Sequence, residues 1–266
     1  NPIVQDNLKV CERYGMEVIA PATGYLACGD TGAGKMPEPE VLFEYIVREI
    51  AFGKDLAGKR VLVTAGPTRE SIDPVRFITN RSTGKMGYAV ARAAAYRGAR
   101  VTLVTGPVNL KPPMFVDVVP VESAREMFEA VTSRSGEMDM IVKSAAVADY
   151  RPGTVGAEKI KKSDGDMSIA LERTDDILGW LGSHRREGQI LCGFSMETQN
   201  MLENSAAKLE KKHVDMIVAN NLKVSGAGFG TDTNVVTFIT KDGAEELPIL
   251  TKDEVAHRLL DRLMGL

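Results

Sequence analysis

A three-layer α/β fold with a mostly parallel sheet is predicted by three features of this 266-residue sequence. From Arg60 onward, apolar runs of strand length alternate with amphipathic stretches of helical period, the pattern of successive βα units. The stretch from Arg60 to Gly106 reads as one complete β-loop-α-β unit: Val61–Ala65, a polar loop, a helix with an apolar face, and Val101–Thr105. Near the C-terminus, Val235–Thr240 and Glu246–Ile249 flank Lys241-Asp242-Gly243, a hairpin signal that adds antiparallel strands to the sheet.

Taken in order, residues 1–55 predict a helix over Asn1–Tyr14, a short strand at Glu17–Pro21 and a second helix over Pro37–Phe52. A Gly-rich loop, ACGDTGAGKMPEP, lies between the last two. One strand and two helices cannot enclose a core, so this segment reads as a fragment that docks elsewhere. Lys54–Lys59 reads as a linker. From residue 56 a larger domain runs to the end, with strands expected at 61–65, 101–105, 116–119, 140–145, 190–194 and 216–219. Helices are expected near 84–97, 124–134, 175–183, 200–213 and 252–264. The arrangement is Rossmann-like, αβα, with the antiparallel hairpin as an addition.

A hydrophobic content of 44% over this length supports a sizeable core, while a net charge of −3 argues against a nucleic-acid protein held by phosphate contacts. Any cationic site must therefore be local. No apolar run approaches about 18 residues and no signal-peptide pattern opens the chain, so no membrane span is expected. Cys11, Cys28 and Cys192 lack C-x-x-C spacing, and His184, His213 and His257 are scattered. A cytoplasmic location and no metal cluster are the expectations.

The polar loop after Val61–Ala65 carries Thr68, Arg69, Asp73, Arg76, Asn80, Ser82 and Thr83. Short βα connections run about 2–6 residues, so a longer one this rich in hydrogen-bonding groups reads as a binding device. Its place before a helix N-terminus at a strand's carboxyl end predicts a phosphorylated ligand.

Other motifs divide between chemistry and packing. Gly29–Met36 matches most of a P-loop, yet Met36 and Pro37 stand where a magnesium-binding hydroxyl and a continuing helix are required. Ser82-Thr-Gly84-Lys-Met-Gly87 is similar to the glycine turn of short-chain dehydrogenases, which keeps an NAD(P)-dependent oxidoreductase as the alternative function. No G-x-G-x-x-G follows the first strand, and none of the six tyrosines has Lys four residues on. In Ser144-Ala-Ala-Val-Ala-Asp149, small side chains allow a flat ring to approach, and Asp149 either contacts a ribose or cation or caps a helix. Glu158-Lys-Ile-Lys-Lys162 reads either as a solvated run or as a lid bearing lysines. Phe194 reads as core or as a stacking platform, and Lys208 with Lys212 as a surface pair.

Together, TAGPTRESIDPVRFITNRSTGKMG, KSAAVADYRP, EKIKK, GFSMET, the spacing of Lys208 and Lys212, and VANN with GFGTDTN resemble the phosphopantothenate-cysteine ligase domain of bacterial bifunctional coenzyme A biosynthesis proteins. The resemblance covers residues 56–266. It implies that 4'-phosphopantothenate and L-cysteine are joined through an acyl-cytidylate, with CTP and Mg2+ consumed or required. It also implies Asn80, Arg76 and Lys159 as catalytic residues. Nucleotide contacts are implied at Ser82, Lys143, Ser144, Ala145, Asp149, Lys159, Asp175, Asp176, Ile177, Leu178, Phe194, Lys208 and Lys212, with the metal ligands unassigned. Ser195-Met196 and Asp175 depart from the family pattern. Residues 1–55 resemble the tail of the flavoprotein decarboxylase fused upstream, with Cys28 as its proton donor. FMN belongs to the complete bifunctional protein, so decarboxylase activity is not expected here. A homodimer is the implied assembly.

Overall fold

The chain divides into two units, Asn1–Ala51 and Phe52–Leu266, in a computed structural model that describes residues 1–161, 166–196, 201–220 and 228–266, the side chains of 201–203 excepted. In the first unit, α1 (Pro2–Arg13) is capped by the Asn1 side chain, which accepts from Ile3 N at 3.0 Å. Strands β1 (Ala22–Tyr25) and β2 (Thr31–Lys35) pair antiparallel, and α2 (Pro39–Ile50) follows. The strand expected at Glu17–Pro21 is thus displaced past Pro21, which has no N–H to give a ladder. The middle of the Gly-rich loop, Thr31–Lys35, is strand β2. Its glycines lower strand propensity, but pairing with β1 gives their backbone groups partners. No residue of this unit is buried, as expected of a segment with no core of its own.

The second unit begins with β3 (Arg60–Ala65), β4 (Arg69–Ser71), β5 (Phe77–Thr79), α3 (Lys85–Tyr96), β6 (Arg100–Thr105), β7 (Val116–Pro120), α4 (Ala124–Ser135) and β8 (Met140–Lys143). It continues with β9 (Tyr150–Pro152), β10 (Leu171–Arg173), α5 (Ile177–Ser183), β11 (Ile190–Met196), α6 (Met201–Lys211) and β12 (Met216–Asn220). It ends with β13 (Thr233–Asn234), β14 (Val236–Thr240), β15 (Gly243–Glu246), β16 (Leu250–Thr251) and α7 (Lys252–Met264).

Eight strands form one sheet in the order β15-β14-β12-β11-β8-β3-β6-β7. The six from β12 to β7 are parallel, and β14 and β15 join antiparallel. The mostly parallel sheet with an antiparallel hairpin is the predicted architecture. The hairpin is tighter than expected: Thr240 pairs directly with Gly243, so the returning strand runs Gly243–Glu246 rather than Glu246–Ile249. Gly243 takes φ +138°, which closes the turn early, and Pro248 cannot donate to a ladder.

Alternation along the parallel strands feeds two cores. Val61, Val63, Leu103, Val142 and Val218 pack with the alanine face of α3 and with Val255, Leu259, Leu260 and Leu263 of α7. Leu62, Val104, Ile141, Leu191 and Ile217 pack on the other face with Met127 and Val131 of α4 and Ile177 and Leu181 of α5. Helices therefore cover both faces, as a parallel sheet requires. Helix α7 starts with a full capping box, in which Thr251 and Glu254 satisfy each other's backbone N–H groups.

Helix α3 lies directly on β3. A Cβ at Gly87 would stand 2.6 Å from Ala65 Cβ and 2.9 Å from Thr64 O. Replacing Gly87 with Ala should therefore destabilise the protein by about 1–3 kcal/mol through overpacking. A melting temperature lowered by several degrees in differential scanning calorimetry is the expected outcome; an unchanged value would refute this close approach.

Candidate functional site

Strand order reverses between β3 and β8, whose neighbours on either side are reached by successive βα units in opposite directions. Loops leaving such strands diverge and open a crevice at their carboxyl ends. Here the loops do not splay freely. Ala146 N donates to Gly66 O at 2.9 Å, Thr68 N to Ala146 O at 3.3 Å, and the pair forms a parallel bridge between Pro67 and Ala146. The threonines after and within β3 continue the seam: Ala145 N donates to Thr64 Oγ1 at 3.1 Å and Ala148 N to Thr68 Oγ1 at 3.0 Å. These bonds take the backbone out of the ladder, which is why β8 stops at Lys143 rather than at 145.

A cavity of about 460 Å³ opens beside this seam. From the β3 side it is lined by Asn80, Ser82, Thr83 and the start of α3; from the β8 side by Lys143, Ser144, Ala145 and Asp149. Phe194 of β11, Lys208 of α6, Asn220, Asn234 and Lys252 complete the wall. The Asn80 amide donates to Ala146 O at 2.9 Å, so the loop's own seam orients it. Gly84, at φ +78°, is the N-cap of α3 and offers no side-chain cap; no acidic residue lies in the first turn. The helix N-terminus is left with unneutralised N–H groups, a site suited to an anion.

A second cavity, about 370 Å³, shares Lys143, Val147 and Asp149 with the first and adds Arg173, Asp175, Asp176, Ile177 and Lys212. Burial lowers the pKa of Lys143; Asp149 and Asp176 oppose that shift, and Lys208 and Lys212 add to it. For Asp176, burial raises the pKa, but the Lys212 ammonium and the Gly179 N–H outweigh it and hold the carboxyl below its ordinary value. The same carboxylate caps α5, accepting from Gly179 N at 3.0 Å, so this helix starts at Ile177 rather than at 175. Three lysines and several carboxylates thus converge where the two cavities meet.

Most residues expected at the site are brought together there, but not all. Leu178 lines neither cavity; it packs into the core over Gly193 of β11. Ile177 touches the second cavity from a buried position. Asp149 precedes β9 and caps no helix. Cys28 lies exposed in the first unit, between β1 and β2. Lys162, Glu197, Thr198, Asn200, Asn221 and the side chain of Leu202 lie outside the described residues.

Arg76 and Lys159 line neither cavity. Arg76 instead binds Asp73, in the turn of the β4–β5 hairpin, and that carboxylate reaches the backbone next to Lys159. The Asp73 carboxylate accepts from Arg76 Nε at 3.0 Å and Nη2 at 2.5 Å, from Val75 N and Arg76 N, and from Ile160 N at 3.1 Å. Arg76 Nη2 also donates to Ile160 O at 2.9 Å. Arg76 is therefore a clamp on the backbone beside Lys159. Its bond to Asp73 holds that carboxyl well below the usual carboxylate range. The polar loop expected to be a binding device contains the β4–β5 hairpin, which carries this clamp.

Sequence reasoning did not single out Lys85, Asn220, Asn234 or Lys252. Lys85 stands inside a motif noted for its glycines, whereas Lys252 opens an ordinary amphipathic helix and gives no signal of its own.

A family model described as the DNA/pantothenate metabolism flavoprotein C-terminal domain matches residues 56–266. Over its whole length the chain is 48% identical to the coenzyme A biosynthesis bifunctional protein CoaBC of Bacillus subtilis (strain 168), of which it spans 66%, just under two thirds. It is 43% identical to a cysteine/cysteine sulfinic acid decarboxylase of an unknown prokaryotic organism, spanning 76% of that protein. The crystal structure of a CoaBC C-terminal domain superposes with a TM-score of 0.68 and 51% identity, covering 79% of this chain and 98% of the other.

Asp73→Asn removes the charge that gathers Arg76 and Ile160 N. Trypsin should then cut after Lys159 or Lys161 several-fold faster, read by mass spectrometry. A depressed carboxyl stabilises the fold above its unfolded pKa of about 3.9 and loses that contribution as pH falls below it. The difference in melting temperature between wild type and variant should accordingly be full at pH 6 and shrink below about pH 4.

Proposed function

Because the chain belongs to the DNA/pantothenate metabolism flavoprotein C-terminal domain family, we propose that it is a phosphopantothenate-cysteine ligase of coenzyme A biosynthesis. The carboxylate oxygen of 4'-phosphopantothenate attacks the α-phosphorus of CTP, and the bond to the β-phosphate oxygen breaks to release pyrophosphate. The cysteine amine then attacks the acyl carbon of the acyl-cytidylate; CMP leaves with the bonding electrons and the amine gives up its proton. The observation that carries this reading is one cavity lined both by an uncapped helix N-terminus and by Lys143 and Lys208. Two anionic reactants must meet in such a reaction, and preorganised N–H groups and cations reduce the cost.

In this proposal the start of α3, with Ser82, takes the phosphate of the acid. Lys143, Lys208 and Lys212 take the nucleotide phosphates, and Phe194 and the small Ser144-Ala145 pair leave room for the base. The second cavity, with Asp175 and Asp176, holds the remainder of the nucleotide. Asn80 holds the acyl-cytidylate for the second step. Lys159, next to the Ile160 backbone that Arg76 and Asp73 hold, serves the first.

No group of three or more His, Cys, Asp and Glu suited to a metal occurs among the described residues. Mg2+ needs no such cage, since one or two carboxylates and substrate phosphates suffice. Asp149, which lines both cavities, fits that role. Bound there, the ion would offset phosphate charge; the lysines and the helix N-terminus do the rest.

The proposal assigns residues 56–266 to the ligase domain and 1–55 to the end of an upstream flavin-dependent decarboxylase, with Cys28 its proton donor and no decarboxylase activity in this chain alone. It also assigns a homodimer. Against the oxidoreductase alternative, β3 is followed by the β4–β5 hairpin before α3, so the short glycine turn that a dinucleotide pyrophosphate requires is missing there.

Purified protein with Mg2+, CTP and 4'-phosphopantothenate should release pyrophosphate, and amide should appear only when cysteine is added. Failure with every common triphosphate would refute the proposal. Asn80→Asp should accumulate the acyl-cytidylate, detected by mass spectrometry of quenched reactions, with amide formation lowered at least about 100-fold, the scale of a lost transition-state donor. Lys159→Gln should abolish pyrophosphate release; normal release would exclude Lys159 from the first step.

A further inference from the structure

Lys252 is the first residue of α7, yet its side chain does not reach for solvent as most helix-starting lysines do. The residue is only 6% exposed. Its ammonium donates to Gly228 O at 2.9 Å, to Phe229 O at 3.3 Å and to Thr231 O. A cation at a helix N-terminus opposes the helix dipole, and burying it adds a desolvation cost. Something in the structure must compensate, and the compensation is this set of three carbonyl oxygens.

The turn that supplies them is seated on the start of α3 by two further donors. Thr83 Oγ1 donates to Phe229 O, and Lys85 Nζ donates to Gly230 O at 2.8 Å and pairs with Asp232 at 2.7 Å. Four successive carbonyls, Gly228 to Thr231, are therefore all engaged by cations or a hydroxyl. Gly228, Phe229, Lys85 and Lys252 also line the main cavity. Bare carbonyl oxygens beside an uncapped helix N-terminus would repel an incoming phosphate. Carbonyls held by ammonium groups would not.

We propose that Lys252 is a positioning residue for the reaction in this cavity: it gathers the Gly228, Phe229 and Thr231 carbonyls and so fixes the 228–232 turn as the wall beside the α3 N-terminus. The identity of the anion that feels this wall, the phosphate of the acid substrate, rests on the ligase reading; the fixing of the turn does not. Lys252 acts through the turn and not on the reacting atoms.

Protonation supports the geometry. Burial pushes the Lys252 amine down to about 8, with Lys85 adding to the shift and Asp232 opposing it. At pH 7 the group lies below that value and is charged, with three N–H donors for three carbonyls. The charged groups facing it are Lys85 and Asp232, and its own helix adds Asp253 and Glu254, of which Glu254 is committed to the Thr251 cap.

Two variants and two readouts test the role. In K252M, hydrogen–deuterium exchange at pH 7 without ligand should speed up at least about tenfold in peptides covering 228–235, while β12 and the interior of α7 keep wild-type protection. In steady-state assays KM for 4'-phosphopantothenate should rise about tenfold, with kcat within about threefold of wild type, as for lost uniform binding. K252Q, which keeps two N–H donors without the charge, should fall between wild type and K252M in both, and serves alone if K252M does not fold. Unchanged exchange over 228–235 would overturn the proposal. So would loosening spread equally through α7 and β12, or faster exchange with KM unmoved in a competent ligase. If the wild-type protein makes no amide while K252M loosens the turn as described, the ligase reading falls and the fixing of the turn by Lys252 stands.

Discussion

Backbone polar groups at the reversal point of the sheet have nowhere to go but to each other, and the site is built from that constraint. Between β3 and β8 the chain leaves in opposite directions, so the ladder breaks after Thr64 and Lys143. An unpaired buried N–H or C=O costs about as much as a lost hydrogen bond, roughly 1–3 kcal/mol. Gly66, Thr68 and Ala146 resolve this by bonding across the gap, with Thr64 and Thr68 hydroxyls taking the next two amides. Asn80 is drawn onto the same seam by the Ala146 carbonyl, which already serves Thr68. Local pairing thus places a side-chain amide at the mouth of the crevice without any residue dedicated to holding it.

Charge follows a second constraint. The chain is net acidic, yet Lys143, Lys208, Lys212, Lys85 and Lys252 are collected around two adjoining cavities. Like charges this close repel, and burial of Lys143 and Lys252 adds a desolvation penalty that lowers both pKa values. Carboxylates offset part of this, as Asp176 does for Lys212 and Asp232 for Lys85. A cluster of cations in a partly desolvated pocket is costly while empty and favourable once an anion enters, which is the electrostatic form of preorganisation.

Much of the fold was legible in the sequence, for a physical reason. Strands buried on both faces read as apolar runs, as Val61–Ala65 and Met216–Ala219 do, and the Ala-rich face of α3 shows in its period. Edges and turns were less legible. Strands β4, β5, β9 and β10 are three residues each and mostly exposed, β10 throughout, so no run of apolar residues marks them. Within the site, Lys143 to Asp149 sit where the end of β8 must put them, whereas Phe194 lies inside β11, which runs on to Met196 rather than ending at 194. Lys252 was invisible because its contacts are with carbonyls of the 228–231 turn, which sequence order separates from it and side-chain type does not report. Arg76 was named from the resemblance as catalytic, whereas its clamp on Ile160 depends on a hairpin that the sequence did not show.

Two turns outside the central sheet are each held by one buried ion, and the two ions are of opposite sign. Asp73, a carboxylate shut off from solvent, collects four N–H groups of its own hairpin and the amide of Ile160. Lys252 collects three carbonyls. Neither ion is needed by the hydrophobic cores, and neither turn belongs to the central sheet. Single charges that gather main-chain groups, joined at Asp73 by the Arg76 guanidinium, let these turns keep defined positions. Turns held by a few polar bonds can open locally while a packed sheet stays closed.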